Sequence, residues 1–299
     1  LSLGAIRYIW FMPPKKLIIV LMCALSTTNV FSQFYTELFS ANQQIYRASD
    51  KSGEDSVFTY NQFVNFMLPI VRKNQDAIII RGGYERLQSI GDNGCQTMSS
   101  LALPIGYSWT SRKKPQWKYL ALAQAKVSGT WQQGTDWKNQ MQYGGVFLAT
   151  KTLRPELRWK MGVFVNREAF GPFVIPLIGW DWKINERWKM IALLPNMLKV
   201  EYTMIPDAVN VGFAYRSFTR SFFNTPDAGY VRYNEMQLKT YLEYHFKSYY
   251  TFVEGGYFIG RAPRYFSNAD AQTATENALY FNTKPFFLLN FGVALRLAN

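Results

Sequence analysis

The sequence predicts an all-β fold, a transmembrane antiparallel up-and-down β-barrel of about 14 strands, with 12 or 16 as the neighbouring counts. Three observations carry that prediction. Apolar and polar residues alternate with a period of two along one segment after another, and this period puts the two sets on opposite faces of a pleated strand. Aromatic residues make up 17% of the chain, and tryptophans gather beside polar turns, as they do where a barrel meets the membrane surface. Beyond a short apolar run near the N-terminus, no segment offers the ~20 apolar residues of a spanning helix. A mean hydropathy of -0.15 does not count against a barrel, because only every second residue of each strand need be apolar.

The elements follow in chain order. Met12, Lys15 and Lys16 head a short positive segment, residues 17–25 form an apolar core, and Val30-Phe31-Ser32 fits a cleavage site before Gln33. Residues 1–32 are therefore expected to be an upstream extension and a cleaved signal peptide, with 33–299 as a single barrel domain destined for a Gram-negative outer membrane. Met22 is unsuited to stand before a lipidated Cys23. Cys95, in the turn-like stretch 91–94 and after, is then the single cysteine of the mature chain. It can form neither an internal disulfide nor a thiolate metal cluster.

Residues 33–47 are the weakest strand candidate. Stretch 57–72 turns at 73–75 into 76–90, where Ile78, Ile80 and Tyr84 oppose Arg81 and Glu85 in parity. Stretch 96–111 leads through Arg112-Lys113-Lys114 to 116–130, where Trp117, Tyr119 and Val127 face away from Lys118, Gln124 and Lys126. A polar loop at 132–136 precedes strands 139–152 and 156–167, and in the second of these Trp159, Met161 and Val163 alternate with Arg158, Lys160 and Gly162.

The clearest hairpin is 172–195. Val174, Ile178, Trp180 and Trp182 share one parity and Asp181 and Lys183 the other, and a three-residue turn Ile184-Asn185-Glu186 would set Trp182 opposite Trp188. Strands 197–204 and 209–222 follow, the latter with Val211, Phe213 and Tyr215 opposing Arg216 and Arg220. Leu238, Leu242 and Tyr244 oppose Lys239, Glu243 and His245, and strand 249–261 sets Glu254 against Val253 and Tyr257. A long polar loop, 262–284, precedes the last strand, 285–297, with Arg296 on its polar face. Short turns alternate with longer loops, the pattern of barrels that keep short turns in the periplasm.

At PLIGWDWKINERWKMIALLP, supported by LPIVRKNQDAIIIRGGYERL at 68–87 and by the alternating last strand, the chain resembles a family of Gram-negative outer-membrane β-barrel proteins classed as a domain of unknown function. The Gly-x-x-Trp-x-x-Asn-x-x-Trp rhythm over 179–188 is its most distinctive part. The resemblance spans the mature chain and implies a barrel and a membrane, with no catalytic residue, substrate or cofactor to carry over. It also implies assembly by the barrel-assembly machinery. The chain departs from the pattern by ending in Asn299 where many such barrels end in an aromatic residue.

Function follows from the two faces. Inward-facing Arg81, Glu85, Arg158, Lys160, Asp181, Lys183, Arg216, Arg220, Lys239, Glu243, His245, Glu254 and Arg296 would line a lumen of mixed sign with a basic excess, matching 33 Lys+Arg against 20 Asp+Glu in the chain. They read first as a salt-bridged or solvated wall, and second as a pore favouring small anionic solutes. Outward-facing Trp117, Trp159, Trp180, Trp182 and Trp188 read as an interfacial girdle against outer-membrane lipid. Because the basic residues alternate along strands, with a single basic run at 112–114, no nucleic-acid partner is expected. Two other functions stand beside the pore. A hydrolase could use His245, oriented by Glu243, to activate a serine such as Ser248, and an adhesion or receptor barrel could use loop 262–284. Asp270 and Glu276 in that loop could supply an all-oxygen metal site, but loop acids are usually just solvated, and neither metal nor cofactor is expected.

Overall fold

The computed structural model describes residues 35–49, 56–72, 76–91, 94–131, 137–224, 229–266, 279–280 and 286–298. The leader and the loop carrying Asp270 and Glu276 lie outside them. The strands are β1 (Tyr35–Ser49), β2 (Ser56–Val71), β3 (Ala77–Gly91), β4 (Gly94–Thr110), β5 (Trp117–Gly129), β6 (Met141–Arg154), β7 (Leu157–Glu168) and β8 (Gly171–Lys183). There follow β9 (Trp188–Leu194), β10 (Met197–Ile205), β11 (Val209–Asn224), β12 (Gly229–Phe246), β13 (Tyr249–Phe266), β14 (Leu279–Tyr280) and β15 (Phe286–Ala298). A one-turn helix, α1 (Trp137–Gln140), precedes β6.

Each strand from β1 to β13 pairs antiparallel with its successor, β13 pairs with β15, and β15 returns to β1. The short β14 lies only against β13, so fourteen strands close the ring. Closure matters because an unpaired edge in hydrocarbon costs several kcal/mol per exposed backbone group. Paired residues point the same way, so Leu103 beside Ala125, Phe147 beside Val163 and Val165 beside Val174 build one outward apolar face. The exposed positions on the strands include Phe66, Leu103, Val174, Leu242 and Phe287, as a lipid-facing belt requires.

Several expected boundaries move. The turn of the clearest hairpin spans residues 184–187, because Ile184 N–H and Asn185 N–H both donate to Trp188 O while Asn185 Oδ1 accepts from Arg187 and Trp188 N–H. Trp182 therefore faces Met190, and Trp188 packs on Tyr202 of β10 with ring centroids 4.9 Å apart. Strand β13 runs on to Phe266 and so takes the first residues of the expected 262–284 loop. The alternation of short turns and long loops holds only in part, since residues 169–170 and 195–196 are tight connections at the end where long loops were expected. We call that the loop end, and the end carrying the β2–β3, β4–β5, β6–β7, β8–β9, β10–β11 and β12–β13 turns the turn end.

The ring is not the same at both ends. Strands β9 and β10 are short, with 7 and 9 residues, whereas β11 and β12 have 16 and 18. At Ser217, whose N–H donates to Asn196 O at 2.8 Å, β11 passes the top of β10. It then leans across the lumen to β5, where Phe223 bridges Gly129 in parallel and Thr130 N–H donates to Phe223 O at 2.9 Å. Beyond that point the ring consists of β11, β12, β13, β15 and β1 to β5, which is nine strands against fourteen below. Gly129 permits the crossing: a Cβ there would lie 2.6 Å from Phe223 O and 2.7 Å from Gln140 Cδ. Gly129→Val is expected to prise β11 off β5 at a cost of about 1–3 kcal/mol. The check is the hydrogen-exchange protection of the Thr130 amide, which should be lost.

Candidate pore and its charged lining

The nine-strand neck is a packed core. Phe222, Val231 and Tyr233 from the leaning β11–β12 tongue close on Leu87 and Met98 of β3 and β4. Beside them Tyr46, Phe258, Phe286 and Leu288 fill the inner face of β1, β13 and β15, with ring centroids 4.7–5.4 Å apart. An eight-stranded barrel has just the bore that side chains can fill, and a neck of nine is close to it. Arg220 fastens the tongue further, pairing with Glu85 on the opposite wall and with Glu235 at 2.9 Å.

The outer face of the tongue is clasped as well. Ser221, fully buried, gives its N–H (3.0 Å) and its hydroxyl (2.6 Å) to Glu168 Oε2 of β7. Its carbonyl accepts from Ser128 Oγ (2.8 Å) and Gln142 Nε2 (3.1 Å). Glu168 Oε1 in turn takes Lys126 Nζ at 2.8 Å and Asn166 Nδ2 at 2.7 Å. Each carboxylate oxygen is thus met by donors, the condition for burying a charge without a large penalty. Arg232 covers the Phe170 ring of the β7–β8 turn at 4.0 Å.

Below the neck the predicted lining residues sit at inner-face registers, gathered into separate groups rather than a ring. On β12, Glu243 accepts both Arg296 nitrogens at 3.2 Å, Lys199 Nζ at 2.8 Å and His245 Nε2 at 3.2 Å. Lys239 pairs with Glu254, which also accepts Asn290 Nδ2 at 2.7 Å. On the opposite wall Lys160 meets Asp181 at 2.5 Å, both buried. Arg81, Arg216 and Lys183 are exposed, Lys183 at the turn-end rim. Among the described residues the arrangement is a largely paired wall with an excess of cations.

His245 meets Glu243 as expected, but no described contact joins it to Ser248. Its Nε2 lies between Glu243 and Asn210 Nδ2 (3.0 Å), and its ring stacks on Tyr250 at 5.2 Å. Ser248 is in the following turn, where its carbonyl accepts Arg296 N–H at 2.7 Å. Cys95 opens β4, exposed, with Gln88 Nε2 3.2 Å from Sγ. The five tryptophans stand on the outer face near the turn end: Trp117 under Lys151 Nζ (5.6 Å) and beside Tyr119, Trp159 against Trp180 (6.5 Å), and Trp182 and Trp188 exposed. A hollow of about 500 Å³ lined by Asp76, Tyr107, Trp109, Arg112 and Tyr119 opens among these rim aromatics, outside the lumen.

Sequence reasoning missed Lys199, Glu168, Ser221 and Glu235, along with the whole neck. The signal was present: Phe218, Phe222, Val231 and Tyr233 occupy inner-face parity on β11 and β12, where a water-filled lumen would want polar residues.

The family described as a domain of unknown function (DUF6268) matches residues 28–296. The chain belongs to this family. No curated protein matches it. Solved structures with a similar fold include an outer membrane channel, COG4313, from Pseudomonas putida F1, with 8% identity and a TM-score of 0.47 over 89% of this chain and 98% of that one. The NanC porin matches at 9% identity and a TM-score of 0.41, over 86% and 98% of the two chains. A TodX monoaromatic hydrocarbon channel mutant matches at 11% and 0.41, over 87% and 89%. At these identities the likeness concerns the fold alone. It is the likeness of an all-β closed antiparallel barrel to outer-membrane channels.

Proposed function

We propose that the protein is an outer-membrane pore for small polar or anionic solutes, without catalysis, kept shut at its loop end by the β11–β12 tongue. The observation that carries the reading is the contrast between the two halves of the lumen. The turn-end half is ringed by fourteen strands and carries ionised side chains on its inner face, and the loop-end half is narrowed to nine and packed. A barrel built only as a surface module would have no need of charges inside its wide half, because burying a charge costs energy that a polar or apolar lining would avoid. Exposed Arg81, Arg216 and Lys183 support the preference for anions. The reading includes export by the leader at 1–32, insertion by the assembly machinery, and a girdle of Trp117, Trp159, Trp180, Trp182 and Trp188 in outer-membrane lipid.

The test is reconstitution in planar bilayers across a KCl gradient. The wild type is expected to give infrequent steps whose reversal potential favours chloride. If neither the wild type nor a variant with a shortened tongue gives any step, the protein is not a pore.

A further inference from the structure

A barrel lumen is ordinarily polar, yet the inner wall of β5 to β8 carries two apolar rows below the neck. Register places Leu120, Leu148, Gly162 and Leu177 side by side across these four strands. The next row toward the loop end is Leu122, Val146, Phe164 and Ile175. Unlike the apolar residues of the neck, these lie below the tongue, whose contacts with this wall begin at the level of Lys126 and Glu168. Leu120 and Leu122 pack sideways against Ala77 and Ile79 of β3, yet most of the two rows is only half-buried, and apolar surface left to water costs roughly 25 cal/mol per Å². Gly162 lets Leu148 lie close against β7, since a Cβ there would stand 3.0 Å from Leu148 Cδ1.

The row on the turn-end side of this patch is of a different kind. Lys118, Thr150 and Lys160 stand in register there, and Arg158 follows on β7 within electrostatic reach of Lys118. Asp181 pairs with Lys160 and lies within electrostatic reach of Arg158, and Asp76 lies within reach of Lys118, so cations are in excess over acids in this group. Rows on one strand face are ~6.8 Å apart and strands ~4.8 Å apart, so the patch measures roughly 14 Å across by 7 Å between rows, the footprint of a fused bicyclic ring or a medium alkyl chain.

Resting on the lumen reading above, we infer that this wall is a binding station for amphiphilic anions: an apolar body lies on the two rows, and its carboxylate or sulfonate faces Lys118, Thr150 and Arg158. Entry is from the turn end, so binding does not require the tongue to move. The apolar rows select against sugar acids and small inorganic anions, which have the charge without the body to cover them. The basic row selects against neutral hydrocarbons.

The experiment is flow dialysis of radiolabelled 1-naphthoate against the full barrel in lipid nanodiscs, with empty nanodiscs subtracting partition into lipid and gluconate as the hydrophilic anion of equal charge. Binding at equilibrium needs no conductance, so this inference and the pore reading fail separately. Naphthoate is expected to bind about tenfold or more tightly than gluconate, the difference that burying one ring edge on leucine side chains provides. The Leu122→Gln, Leu148→Gln double variant should lose that margin while still binding both anions weakly, and Arg158→Gln should weaken both. Equal binding of naphthoate and gluconate by the wild type, binding no greater than to empty nanodiscs, or naphthoate affinity unchanged in both variants would each overturn the inference. The wild-type comparison stands even if a variant fails to fold.

Discussion

Excising residues 219–234 and rejoining Phe218 to Glu235 through an Asn-Gly turn is expected to convert a barrel that conducts rarely into one that stays open. Phe218 and Glu235 are paired in register, and a two-residue turn of this type matches the twist of antiparallel strands. The excision removes Arg220, Phe222, Val231 and Tyr233, leaving Leu87, Met98 and Glu85 on a wall with nothing opposite them. It also removes the bridge from Phe223 to Gly129. The ring then remains at fourteen strands throughout, well above the strand number whose interior side chains can fill. Single-channel recording checks the outcome: long-lived steps larger than any wild-type event are expected. Steps as rare as those of the wild type would locate the closure elsewhere. Glu168→Ala is the graded form of the same experiment. It strips Ser221 of its acceptor and leaves Lys126 beside an empty site, and breaking a buried, hydrogen-bonded charge pair costs about 3–5 kcal/mol. The closed state should be weakened by that order, giving open times between the wild type and the excision.

The second large effect is on stability. Glu243→Ala should destabilise the barrel by about 3–5 kcal/mol, because Lys199, Arg296 and His245 all meet on this one buried carboxylate. The variant leaves two obligate cations crowded together on the wall of β10, β12 and β15. Glu243→Gln retains an acceptor oxygen and should cost less. Adding Lys199→Met to Glu243→Ala should recover part of the loss, since it removes a charge that has lost one of its acid partners. Urea unfolding in detergent micelles, followed by heat-modifiable gel migration, measures the series. An unchanged midpoint for Glu243→Ala would mean that water already screens the group.

The outer half of this protein is legible from its residues. Alternation assigned Leu157, Trp159, Met161 and Val163 to one face and Arg158 and Lys160 to the other, and the ladder between β7 and β8 keeps them there. A period of two follows from the geometry of the strand itself, so it survives whatever the rest of the chain does. The Trp182–Trp188 pairing was a finer reading and did not survive. It depended on the length of a turn, and the turn in which Asn185 accepts two backbone N–H groups moves the partner of Trp182 two residues on, to Met190.

The inner half was readable only as a parity. Glu85, Arg220 and Lys160 all have inner-face parity, but nothing local pairs Arg220 with Glu85, which lies far along the chain on the opposite wall. Arg220 reaches it because β9 and β10 stop short and β11 leans over them. The sequence by itself determined that strands close into a ring with an apolar belt outside, since lipid accepts only apolar side chains and closed backbone pairing. Tertiary structure alone decided what lies across the lumen from each inner residue: an open bore in the wide half, a protein tongue in the neck, and two apolar rows just below the tongue left half-buried. A strand records which side of the sheet a residue takes, and what that side meets depends on a fold that brings distant strands to within a few ångströms.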